Sequence, residues 1–128
     1  MTLLDLVLLI KIVGTGAFSG LPLALLPGSM VSAQTGIGPE ALPIARLYGV
    51  SIIALLVGYS FGFSGVTGGA FPWGVVAMGL VSNGLATFTL AITGFARRAR
   101  GMTLLVAAIT VALAFCAFNP AFATRVVW

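Results

Sequence analysis

The strongest constraint on this chain is the spacing of its charges. Four stretches, at about residues 3–26, 43–63, 72–96 and 102–118, are almost wholly apolar. Each comes close to the ~20 residues that a helix needs to cross the hydrocarbon of a bilayer. Backbone N–H and C=O groups in lipid must be paired within the protein, which leaves helices or a closed barrel. Barrel strands alternate apolar and polar residues, and none of these stretches does. The pattern therefore predicts an all-α integral membrane four-helix bundle, with residues 1–128 forming one transmembrane domain.

Composition argues the same way. Hydrophobic residues make up 60% of the chain and charged residues 6%, against roughly 25% charged in a soluble domain. A water-soluble globule of this composition would lack the polar surface to cover itself. The six basic residues outnumber the two acidic ones. They sit mostly between the apolar runs, where basic residues act as topology signals and contacts for anionic lipid. The expected partners are thus the lipid bilayer and other transmembrane subunits, and no nucleic acid.

Local signals place the ends of the spans. Thr2 and Asp5 have the spacing of a capping box before the first run. Pro22 is expected to kink its last turn, and Pro27-Gly28 to end it. Residues 28–42 read as a polar loop. Pro39 or Pro43 suits the first turn of the second span, where a missing N–H does no harm. Pro72-Trp73 starts the third span, and Arg97, Arg98 and Arg100 close it. Asn119-Pro120 stops the fourth, and the apolar tail after it is expected to lie along the interface. The opening run is longer than a signal-peptide core, follows no basic segment and contains Lys11, so it is expected to be a retained span.

Four spans put loops 1–2 and 3–4 on one side. That side carries Arg46, Arg97, Arg98 and Arg100, while the other carries Arg125, and Lys11 if its stem snorkels that way. Basic residues favour the cytoplasm. Loops 1–2 and 3–4 are therefore predicted cytoplasmic, with both termini outside.

Lipid gives helices no hydrophobic reason to associate, so small residues that allow close backbone approach matter. Gly16 and Gly20 form such a pair in the first span. The second offers Ala45 and Gly49, then Ala54, Gly58 and Gly62. The last three would serve either internal packing or a partner helix.

Few side chains here suit chemistry. The chain has no histidine, so haem or chlorophyll cannot be ligated by one; the cofactor is otherwise unknown, and no metal site is expected. The two carboxylates, Asp5 and Glu40, both fall outside the middle of a span. A proton-coupled exporter or rotor subunit needs a membrane-embedded acid, so neither reading fits. No nucleophile–base pair suggests an enzyme. Lys11 is the exception, about 12 Å into the first span at 1.5 Å per residue. Its stem would either snorkel to the headgroups, or carry its amine to a partner, lipid or carbonyl ligand. Asn83 lies at a similar depth on a helix of the same direction, so the two could meet. Ser82, Thr87, Thr89 and Thr93 continue a polar ribbon from it.

The run Pro39-Glu40-Ala41-Leu42-Pro43-Ile44-Ala45-Arg46-Leu47-Tyr48-Gly49 resembles the start of the second helix in small four-helix bacterial inner-membrane proteins of the DoxX-like type. The resemblance implies a fold and a bacterial inner-membrane location, and no functional residues. The expected function is an accessory transmembrane subunit of a larger energy-converting complex, respiratory or photosynthetic. It would act by helix packing and by lipid, quinone or pigment contacts, with Lys11, Asn83, Gly58, Gly62, Arg97, Arg98 and Arg100 as contact residues. The alternative is a small oligomeric transporter or channel for an anion or neutral solute, using Lys11 and Asn83.

Overall fold

The computed structural model describes residues 1–94, 97 and 99–126. Its described residues are helical and form no strand. Four helices are long and apolar enough to cross a membrane: α1 (Leu3–Leu25), α3 (Pro39–Ser60), α5 (Trp73–Ile92) and α6 (Arg100–Phe118). Three shorter helices join or follow them: α2 (Gly28–Thr35), α4 (Ser64–Thr67) and α7 (Pro120–Ala123).

The bounds differ from those read in the sequence in ways the backbone explains. The segment 28–42 is not a loop throughout, because Gly28–Thr35 is helical and ends on Gly36 at φ 74°. Glycine alone enters that left-handed region without strain, so the helix stops there. The second long helix starts at Pro39 with a 3-10 turn and ends at Ser60, short of residue 63. The third ends at Ile92, where Gly94 at φ 71° follows. The fourth starts two residues early, at Arg100.

α1 begins with the expected capping box. Asp5 N donates to Thr2 Oγ1 at 3.1 Å, and Thr2 N donates to Asp5 Oδ2 at 2.8 Å. Near its other end, Gly16–Gly20 widens into a π turn, in which Leu21 N reaches back to Gly16 O. Pro22 follows immediately. A proline ring crowds the preceding turn and supplies no N–H to it, and a π turn is one way a helix absorbs such a defect.

α1 packs against α3 and α6, and α5 packs chiefly against α6. α3 and α5 make few contacts. Around the molecule the order is therefore α3, α1, α6, α5, with a seam between α5 and α3. Small residues set the tightest crossing. A Cβ placed on Gly49 would lie 2.6 Å from Ala24 N and 2.9 Å from Leu23 C, so α3 and α1 touch backbone to backbone there. Arg46 locks the same crossing by donating to the carbonyls of Leu23 (3.0 Å) and Leu26 at the end of α1. The core lies toward the end that holds both chain termini, with Leu8, Tyr59, Val76, Leu113 and Cys116 buried together. The tail closes this end: Ala123 is buried, and Thr2 pairs with Val126 in an isolated antiparallel bridge.

Candidate functional site

The buried face of α1 is more polar than its exposed face. Leu4, Val7 and Leu8 face inward near its start, but Lys11, Thr15 and Ser19 follow along the same buried stripe. Leu9, Ile10, Val13 and Phe18 face outward. Helical spacing at i, i+4 and i+8, lengthened slightly by the π turn, keeps the three polar groups in line.

Lys11 is 6% exposed and Asn83 1%. The Lys11 stem does not run toward the helix end; it crosses the interior to α5, where Nζ donates to Asn83 Oδ1 at 2.5 Å. Nζ also lies 5.5 Å from the centroid of the Tyr59 ring, close enough for a cation–π contact. No carboxylate among the described residues pairs with it. Asp5 is occupied elsewhere: besides the cap, its oxygens accept from Ser64 N and Ser64 Oγ, both at 2.7 Å. That contact ties the start of α1 to α4.

Asn83 is held in turn. Its Nδ2 donates to Gly79 O at 2.7 Å and lies 3.4 Å from Tyr59 Oη. Tyr59 Oη and Ser82 Oγ share a hydrogen bond of 2.7 Å. An amide has one acceptor end and one donor end. With Nδ2 committed to α5 and Tyr59, Oδ1 is left facing Lys11, so the amide orientation is fixed by its surroundings. α1 contributes Lys11 to this knot, α3 Tyr59, and α5 both Ser82 and Asn83.

The knot lines a cavity of about 70 Å³ shared with Thr15, Leu56 and Val106. Thr15 Oγ1 is buried there without a hydrogen-bond partner. Such a group costs roughly 1–3 kcal/mol if nothing satisfies it. Above this chamber, toward loops 1–2 and 3–4, the helices splay into a crevice of about 430 Å³. Tyr48, Ile52, Ala86, Met102 and Val106 line both spaces, so the two adjoin. The crevice walls are mostly apolar, with Leu23, Ile37, Ala45 and Leu90 among them. Polar groups are thus concentrated at the floor.

The other residues singled out in the sequence lie apart from this site. A Cβ on Gly62 would come within 3.0 Å of Leu8 and Val75, and one on Gly58 would touch Met78, so both glycines face neighbours within the chain. Arg97 and Arg100 are exposed near the end of the molecule where the crevice opens. Arg98 lies outside the described residues. Thr87 and Thr93 bond to the carbonyls of Asn83 and Thr89 in their own helix, so the ribbon on α5 contributes Ser82 and Asn83 to the knot and Thr89 to the crevice wall. Tyr59 and Thr15 were not anticipated. Tyr59 carried no distinct signal, since tyrosine is ordinary near the end of a span. Thr15 carried none, as threonines in apolar helices often bond their own backbone.

Among the described residues, no group of three or more histidine, cysteine or carboxylate side chains converges as metal ligands do. No protein-family model, curated protein or solved structure matches this chain. The site must therefore be read from its own chemistry.

Proposed function

We propose that this chain is a multi-pass protein of a bacterial inner membrane, with loops 1–2 and 3–4 in the cytoplasm. Within it, Lys11 and Asn83 form the binding point of a small oligomeric transporter for an anion or neutral solute. The observation that carries the reading is a buried lysine with no carboxylate partner, held by an oriented amide at the floor of an open cavity. An amine held only by a neutral amide in such a place is expensive to keep charged, and ligand binding gives a reason for keeping it. The amine and the unpartnered Thr15 hydroxyl offer hydrogen-bond donors to an anion or a carbonyl.

Membrane insertion is supported by the apolar outer surface of the molecule. Phe18, Ile44 and Phe118 are 77%, 71% and 86% exposed, while Lys11, Asn83 and Thr15 are buried among mainly apolar neighbours. In water such an outer surface would be unfavourable. In a bilayer the outer surface is solvated by lipid, and polar side chains inside hold helices together or line pathways.

The test is uptake of radiolabelled acetate, chloride and glycerol into vesicles reconstituted with the chain or with Lys11→Leu. Lysine-dependent uptake of at least one of these solutes is expected. Equal uptake by both proteins, or none above protein-free vesicles, would remove the reading.

The accessory-subunit reading stands second. It is favoured by the broad apolar outer faces of all four long helices, which suit partner helices as well as lipid. Purification from native membranes in mild detergent separates the two. A defined complex supports the subunit reading, and a chain that migrates alone counts against it.

A further inference from the structure

The two parts of the cavity differ in chemistry, and the difference specifies a class of ligand. The floor has a cationic donor, Lys11 Nζ, and a second buried donor, Thr15 Oγ1, which has no partner among the described residues. Its volume of about 70 Å³ is several times the roughly 10–15 Å³ of such space that one water needs. That admits a head of carboxylate size. The adjoining crevice above is about 430 Å³ and mainly apolar, within the roughly 300–1,000 Å³ usual for small-molecule sites. A hydrated inorganic ion would leave that space without favourable contacts.

We infer that the ligand is an organic monoanion with an apolar body, a medium-chain carboxylic acid or a compound of like shape. Its carboxylate sits on Lys11 and Thr15, and its chain lies along the crevice between α3 and α5. This inference rests on the reading of Lys11 and Asn83 as a solute site, and it narrows the solute. Three observations converge on it. The charge at the floor is positive, and no carboxylate among the described residues pairs with it. The wall residues Leu23, Ile37, Ala45, Ile52 and Leu90 give an acyl chain apolar contact over most of its length. The space is closed at one end: beyond Lys11, Leu8, Tyr59 and Leu113 are buried, and Asp5 binds Ser64 across that end. From Lys11 to Leu23 is twelve helical residues, about 18 Å at 1.5 Å each, so an extended chain has room to lie with its head on the lysine and its tail toward the mouth.

The deciding experiment is calorimetric titration of octanoate, acetate and octanol into the chain in lipid nanodiscs. Empty nanodiscs are the blank, and the titrations are repeated with Lys11→Met and Ala45→Phe. Helical content by circular dichroism checks that both variants fold; a variant that does not is replaced by Lys11→Gln or Ala45→Leu. Octanoate should bind saturably and on the order of a hundredfold more tightly than acetate, from burial of its methylenes. Lys11→Met should abolish that binding, and Ala45→Phe should weaken it about tenfold by filling the crevice. If acetate binds as tightly as octanoate and both need Lys11, the apolar body is irrelevant: the inference is overturned while the solute site stands. If octanol matches octanoate and Lys11→Met changes neither, the crevice binds apolar molecules without the lysine, and both readings fail. Absence of saturable binding by any of the three also overturns both.

Discussion

At the scale of single residues, the account depends on one hydrogen bond. Lys11 keeps its amine inside a largely apolar molecule because Asn83 accepts from it and Tyr59 offers a ring face. Removing the acceptor while keeping the amine leaves a buried donor unsatisfied, which is worse than removing both. Asn83→Leu is therefore expected to destabilise the protein by about 2–3 kcal/mol in the native background. In a Lys11→Met background the same change should be smaller by roughly 1–2 kcal/mol. Thermal unfolding of the four proteins in one detergent measures the coupling. Equal effects of Asn83→Leu in both backgrounds would mean that the two side chains do not meet. Lys11 itself was conspicuous in the sequence because it interrupts an apolar run, and Asn83 because its depth matched. Their meeting needed the fold, since α1 and α5 are not a packed pair and only the length of the lysine stem brings the groups together. Tyr59 was hidden by its place near the end of a span, where tyrosine is ordinary.

The long helices were legible as elements because their apolar runs are long. Their ends were less so. The helix Gly28–Thr35 escaped notice because its serines, glutamine and glycines suit a turn as well as a short surface helix. The π turn Gly16–Gly20 has no sequence signature beyond the proline that follows it. The crossing of α1 and α3 was foreshadowed by Gly16, Gly20 and Gly49, whose spacing permits close approach, but sequence could not say which helices would approach. The structure makes the Gly49 contact the least tolerant of the three, because a side chain there would meet backbone. Gly49→Leu should separate α1 from α3, break both Arg46 hydrogen bonds and widen the crevice. A loss of several kcal/mol, or failure to fold, is expected, since overpacking against immovable backbone commonly costs about 1–3 kcal/mol before lost contacts are added. Gly74→Leu, at a position with open space around it, should change stability by less than about 0.5 kcal/mol. Comparable losses for the two variants by thermal unfolding would contradict the crossing.

At the scale of the whole molecule, the interior is divided. One end, holding the termini, is packed and latched by Asp5 and Ser64. The other, beneath loops 1–2 and 3–4, is hollow down to Lys11. Sequence gave the helix count and a direction through the distribution of arginines; it could not give the hollow, which follows from how far α3 and α5 stand apart. With the loops in the cytoplasm, the crevice would open inward. Cysteine labelling tests that direction. With Cys116 replaced by alanine, a cysteine at Gln34 should react with an impermeant maleimide only after the cytoplasmic side is exposed, and one at Gly65 should react from outside in intact cells. The reverse pattern would turn the site to face outward.

Lys11 is the sole lysine in the chain, and Asn83 is one of only two asparagines. Nitrogen-15 labelling of lysine and carbon-13 labelling of the asparagine side-chain carbonyl therefore give a nearly unique spin pair. Solid-state NMR dipolar recoupling in lipid bilayers measures the distance from the lysine amine to that carbonyl. Strong dephasing is expected, corresponding to hydrogen-bond contact between Lys11 and Asn83, with the lysine resonance shifting when octanoate is added. No dephasing, with the amine resonating as a solvated group at the membrane surface, would contradict it.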